Sequence, residues 1–187
     1  MVHQPGGTQR LKPQNIIDTT TIRPGMTVVE LGCGAVGYCV FPAAQAVGSR
    51  GRVYAVDVRK PVLAAITTRA RVENLTQIIP LWGDAEKSHG VHLPAHMADV
   101  VTLINVLFQN TNRQQMLTEA LRLLKPGGQL LVVDWKPNTP IGPPPAQAVN
   151  AAGVIAWAIR AGLTLTKEFS PSRMHFGLLF TLNSPAV

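Results

Sequence analysis

Three glycines and four polar side chains carry the chemistry legible in this sequence. Gly32, Gly34 and Gly37 follow an apolar run in VVELGCGAVGY, residues 28–38, with the spacing GxGxxG. In such a loop the first glycine permits a tight turn. The second lets the backbone approach a ligand, and the third lets a helix pack close to a strand. Glu30 stands two residues before the first glycine, and Asp57, followed by Val58, closes RVYAVD 20 residues after Gly37. A carboxylate at Asp57 can accept hydrogen bonds from both hydroxyls of a ribose. Asp84 in LWGDAE, with the N–H of Ala85, can read the amino group and ring nitrogen of adenine. Asn105, near the end of ADVVTLINVL, stands at the mouth of the same site. The set is that of an adenosine-bearing ligand.

Positioning these residues requires strands that end where the loops begin. Strands are expected at 26–31, 52–57, 77–82, 98–107 and 129–134, with helices at 38–47, 61–74, 112–124 and 146–161 between or after them. Pro80 denies a ladder bond to the third strand and assigns it to an edge. LKPGG, residues 124–128, stops a helix and turns the chain, and 136–145 form a proline-rich loop. Residues 163–182 read as two strands joined at Ser170–Ser172. Strands separated by helices imply a parallel sheet with right-handed crossovers, closed here by an antiparallel hairpin. One domain spanning 1–187 is expected, with residues 1–22 as an N-terminal extension or a lid over the site.

Composition bounds the function classes. With 46% apolar and 14% charged residues the chain is globular. No run reaches the roughly 18 apolar residues of a membrane span, and the N-terminus lacks the apolar core of a signal peptide. A cytoplasmic location and no membrane partner are expected. The formal charge of +7 is scattered without interleaved aromatics, which favours solubility over nucleic-acid binding and keeps RNA as the alternative. Cys33 and Cys39 are expected to be small buried thiols. His89, His92 and His96 lie in SHGVHLPAH, where Gly90 and Pro94 oppose a regular helix; no metal is expected there. Phe108 and Gln109 are candidate lining of an acceptor pocket. Trp135 is read either as a pocket aromatic with Lys136 or as packing, and His175 as structural or bordering that pocket.

The remaining question is which adenosine-bearing ligand. A carboxylate at Glu30 would repel a dinucleotide pyrophosphate but favours an ammonium and a sulfonium. The chain also leaves no room for a dehydrogenase substrate domain, which disfavours NAD. The segments VVELGCGAVGY, GRVYAVDV, LWGDAE, ADVVTLINVLF and LKPGGQLLVVD resemble, in order, the class I seven-stranded S-adenosylmethionine-dependent methyltransferases. The nearest resemblance is to small members related to the quinone-biosynthesis and arsenite methyltransferase groups. It implies an α/β three-layer sandwich with a mostly parallel sheet in the order 3-2-1-4-5-7-6, strand 7 antiparallel. It implies S-adenosylmethionine as cofactor, held by Glu30, Gly32, Gly34, Gly37, Asp57, Val58, Asp84, Ala85 and Asn105. It also implies a methyl acceptor, read as a small molecule because no added domain exists to hold a macromolecule; RNA is the first rival and a non-catalytic nucleotide-binding module the second. No catalytic side chain, acceptor identity or oligomeric state follows. The family loop reads E/D-x-G-x-G-x-G, so this chain carries one extra residue, Ala35 or Val36, between its second and third glycines.

Overall fold

The computed structural model of the chain describes residues 11–184. Period-two alternation along the strands sends successive side chains to opposite faces. Val28, Val100, Leu131 and Leu179 belong to one core, and their neighbours Val29, Val101, Leu130 and Leu178 to the other. A sheet apolar on both faces must be covered on both. Helices α1 (Pro13–Ile17), α2 (Val40–Val47) and α3 (Lys60–Val72) cover the first face, and α4 (Arg113–Leu123) and α5 (Ala151–Arg160) the second.

The sheet has seven strands in the order β3-β2-β1-β4-β5-β7-β6, as the resemblance implied. They are β1 (Thr27–Leu31), β2 (Arg52–Asp57), β3 (Ile78–Trp82), β4 (Ala98–Ile104), β5 (Leu124–Trp135), β6 (Leu163–Ser172) and β7 (His175–Leu182). β1 to β5 pair in parallel, and β7 runs antiparallel between β5 and β6. β3 is an edge strand, so Pro80, opposite Ala55, costs the ladder nothing on its open side.

Several boundaries differ from expectation for local reasons. β4 stops at Ile104, not 107, because Asn105 turns to φ +50 and residues 107–109 form a 3-10 turn. LKPGG lies inside β5 by pairing: Leu124 already opposes Ala98, and the register then shifts so that Gln129 opposes Val100. The turn chemistry at Pro126–Gly128 therefore makes a bulge within the ladder. α5 starts at Ala151, where Asn150 Oδ1 accepts from the Gly153 N–H at 3.2 Å; only a 3-10 turn, Pro145–Gln147, forms before it. The hairpin turn falls at Arg173–Met174, later than the expected Ser170–Ser172. β6 is the other edge strand, so Pro171 is accommodated in it beside an irregular register between Phe169 and Ser172.

Of the segment 1–22 expected as an extension or a lid, residues 1–10 lie outside the described residues. Leu11, Ile16 and Ile17 are buried beside Val40 and Phe41, and the Tyr38 hydroxyl donates to the Leu11 carbonyl. Thr21 donates to Gln129 Oε1 through its N–H at 2.8 Å and its hydroxyl at 3.0 Å. Among the described residues no helix is long and apolar enough to cross a membrane.

Candidate functional site

The carboxyl ends of β1, β2 and β4 bring the expected residues together. At the end of β2, Asp57 is 4% exposed, and its Oδ2 accepts from the Gly34 N–H at 3.1 Å, tying strand end to glycine loop. The N–H groups of Gly32 and Cys33 donate to the Val56 carbonyl, at 2.8 and 3.0 Å. Gly32 has φ +74, and a Cβ built on it would lie 2.3 Å from Val106 Cγ2, so the loop after β4 presses against the loop after β1. A Cβ on Gly34 would meet nothing within 4 Å; this glycine faces open space.

Glu30 is 3% exposed on β1, with Ala55 and Thr102 opposite it on the neighbouring strands. Among the described residues no donor or cation meets its carboxylate. Burial alone raises its pKa from the ordinary 4.5 to about 8, because ionisation would strand a charge away from water. Cys33 and Cys39 are free, buried thiols whose pKa values are pushed up by burial and then by the charge of Glu30.

The extra loop residue is absorbed outward. Ala35 and Val36 are exposed, the Gly37 N–H donates to the Gly34 carbonyl at 3.1 Å, and α2 does not begin until Val40. Arg69 of α3 holds the bulge, with Nη1 3.0 Å from the Val36 carbonyl and its guanidinium 3.7 Å above the Phe41 ring. Gly37 faces away from the open side: at φ +57, an added Cβ would lie 2.4 Å from Ile66 Cδ1 and 2.8 Å from Phe41 Cε2. Gly37→Ala is expected to cost about 2 kcal/mol or more of stability through strain and overpacking. Urea unfolding measures it, and an unchanged midpoint would sink this reading.

Asp84 and Ala85 lie in a tight loop after β3. The Asp84 N–H donates to the Gly90 carbonyl at 2.9 Å, while Asp84 Oδ1 accepts from the Glu86 N–H at 3.1 Å. Lys87 Nζ stands 3.1 Å from Asp84 Oδ2, and no described group accepts from the Ala85 N–H. Val58 and Trp82 are both half-exposed beside Asp57, and the Trp82 indole donates to the Val58 carbonyl at 2.9 Å. Trp82 escaped the sequence reading. Its signal was a large aromatic on the last residue of a strand, directly before Gly83.

At the end of β4, Asn105 is buried at φ +50, a region Asn tolerates. Its N–H donates to the Val133 carbonyl at 2.8 Å, and its own carbonyl accepts from Gln109 Nε2 at 2.7 Å. The neighbouring β5 ends in Asp134, also missed from sequence, which is fully buried with a pKa raised to about 7 by burial. Its oxygens accept from the N–H groups of Trp135 at 2.8 Å and Phe108 at 3.3 Å, which binds the loop after β4 to β5. Trp135 is buried, edge-on to Phe108 with 6.5 Å between ring centroids and 4.2 Å from the His175 ring. His96 lies at the opposite end of the sheet: its N–H bonds the Arg122 carbonyl just before β4, and Nδ1 sits 2.9 Å from the Leu124 carbonyl. Among the described residues no three His, Cys, Asp or Glu side chains gather as metal ligands.

Comparison with known proteins agrees with this geometry. Residues 29–132 match the family model described as a methyltransferase domain. The ubiquinone/menaquinone biosynthesis C-methyltransferase of Laribacter hongkongensis is 31% identical over 140 residues, 73% of this chain and 55% of that protein. The corresponding enzyme of Ectopseudomonas mendocina is 32% identical over 138 residues, 73% of this chain and 52% of that protein. The chain thus spans about half the length of the curated relatives it matches. A SAM-dependent methyltransferase from Aquifex aeolicus superposes with TM-score 0.83 at 23% identity, covering 96% of this chain and 94% of that one; at this identity the likeness is one of fold. From the family match and the sheet together, the chain belongs to the methyltransferase-domain family and has the class I sheet order.

Proposed function

We propose that the chain transfers a methyl group from S-adenosylmethionine to a carbon atom of a small-molecule acceptor. One observation carries the cofactor's orientation: a buried carboxylate, Glu30, without a cation or donor among the described residues, beside a glycine that faces open space. A buried charge demands a partner, and the ammonium and sulfonium of the cofactor supply cations. When bound, the cofactor supplies an electrophilic methyl on a positively charged sulfur.

The chain's residues position and enclose. Glu30 serves the methionine end and Asp57 the ribose diol. Asp84 and the Ala85 N–H serve the adenine edge, with Val58 and Trp82 as apolar walls. Asn105, held by β5 and Gln109, borders the transferring methyl. Gly32 and Gly34 keep the backbone close, and Gly37 packs the loop onto α3. Alignment of donor and acceptor can contribute up to about 7–11 kcal/mol in well-oriented cases. Carbon as the receiving atom is supported by the relatives, which are C-methyltransferases.

The test is calorimetry with S-adenosylmethionine, S-adenosylhomocysteine and NAD, followed by transfer of labelled methyl to a quinol and metabolite panel or to total RNA. Both adenosyl ligands are expected to bind and NAD to give no heat. Binding of NAD alone would overturn the cofactor assignment. Label appearing only in RNA would overturn the acceptor class.

A further inference from the structure

A cavity of about 620 Å³ opens between the loop after β5 and the β6–β7 turn, walled by Lys136, Pro137, Thr139, Ser172, Arg173 and Met174 among others. Two contacts of Phe108 tie the loop after β4 to the end of β5, which leads into this wall. The Phe108 N–H reaches Asp134 Oδ2, and the Phe108 ring meets Trp135, the residue just before Lys136.

The charged groups at this cavity are both cations, beside the uncharged Asn138, Thr139 and Ser172. Lys136 and Arg173 have no carboxylate within ion-pair distance among the described residues, and no acidic side chain is in the wall. The Thr139 hydroxyl is buried and unpartnered. His175 is fully buried behind the wall, with Nδ1 2.8 Å from the hydroxyl of the wall residue Ser172 and Nε2 unpartnered. That hydroxyl also accepts the Met174 N–H at 3.1 Å. Two cations without a carboxylate partner, Lys136 also donating to Ser170 Oγ at 3.0 Å, in a wall that holds no acidic side chain, favour negative oxygen.

We propose that this cavity is the acceptor site, and that the acceptor is a small molecule carrying an anionic oxygen group, carboxylate or phosphate, on an apolar body. The proposal rests on the methyltransferase reading for the word acceptor, but the anion preference is testable without it. Benzoate and phenyl phosphate serve as probes and benzamide as the neutral isostere, each titrated calorimetrically with and without saturating S-adenosylhomocysteine.

Benzoate or phenyl phosphate is expected to bind at least about tenfold more tightly than benzamide, and the stronger of the two names the anion. In a Lys136→Gln, Arg173→Gln variant that preference is expected to vanish. S-adenosylhomocysteine affinity and melting temperature should stay as in wild type, since both side chains reach solvent. Benzamide binding as tightly as the anions, no anion binding at all, or full anion affinity in the double variant would each overturn the proposal. Failure of S-adenosylhomocysteine to bind wild type would instead strike the methyltransferase reading, and the anion titration would still report on the cavity.

Discussion

Glu30→Gln is expected to make the free protein more stable at pH 8 while removing most of its affinity for S-adenosylmethionine. Burial raises the Glu30 pKa from 4.5 to about 8, so between those values the folded protein keeps a proton that the unfolded chain gives up. Stability therefore falls as pH rises through that window, by about 1.4 kcal/mol per unit. At pH 7 the deficit from this one group is on the order of 3 kcal/mol, and glutamine, which cannot ionise, removes it. For a chain of this size the gain corresponds to about 6–10 °C in melting temperature. Near pH 5 the difference should shrink to under about 1 kcal/mol, because little of the window above the unfolded-state value of 4.5 has then been crossed.

Cofactor affinity should move the opposite way. The cations of the ligand stabilise ionised Glu30, so binding expels a proton and wild-type affinity rises with pH from 6 to 7.5. This range lies below the titration of an α-ammonium at about 7.7–8.0. The glutamine variant should show neither the slope nor the affinity, with a loss of about 100-fold or more. Thermal melts at pH 5 and 8, with and without ligand, read both halves. Equal melting at pH 8, or a wild-type affinity independent of pH, would remove Glu30 from this role.

The second large effect is at Asp57, where Ala is expected to weaken S-adenosylhomocysteine by about 100-fold. Two hydrogen bonds to a charged acceptor are lost, each worth about 1.5–3 kcal/mol. Arg59→Gln should act in the opposite sense. Oδ1 accepts from the N–H and Nε of Arg59 at 3.0 and 3.1 Å, and Oδ2 from Gly34 N–H and Arg59 Nη2 at 3.1 and 3.3 Å. Four donors fill the roughly four lone-pair directions of a carboxylate. A ribose diol can therefore enter only as the guanidinium leaves. The Arg59 side chain is 44% exposed, so this ion pair is worth at most about 1 kcal/mol, and its removal should tighten binding by up to about fivefold. Calorimetry on both variants decides; weaker binding by Arg59→Gln would show that the guanidinium holds the ligand instead of competing with it.

The edge position of Pro80 and the gathering of Glu30, Gly34 and Asp57 were legible because they follow from local pattern and connection rules, while the strand order came from the resemblance of the ordered motifs to the seven-stranded family. Periodicity says which face a residue takes, and strands separated by helices imply right-handed parallel crossovers. The turn at Arg173–Met174 was not legible, since Ser170–Pro171–Ser172 is equally good turn chemistry and only edge position permits a proline in β6. Nor was the fate of the extra residue at Ala35–Val36, because the arginine that catches its carbonyl lies 33 residues further along the chain.

The sequence by itself determined the sheet, the cofactor class and the strand ends where the site lies. Tertiary structure alone decided that Glu30 is held neutral, that Arg59 and Gly34 fill the Asp57 carboxylate, and that the Trp135 and His175 rings lie 4.2 Å apart. The physical reason is that strand pattern is a property of neighbours in the chain. Protonation and hydrogen-bond partnership are set by desolvation and through-space distance, which exist only once the chain has closed on itself.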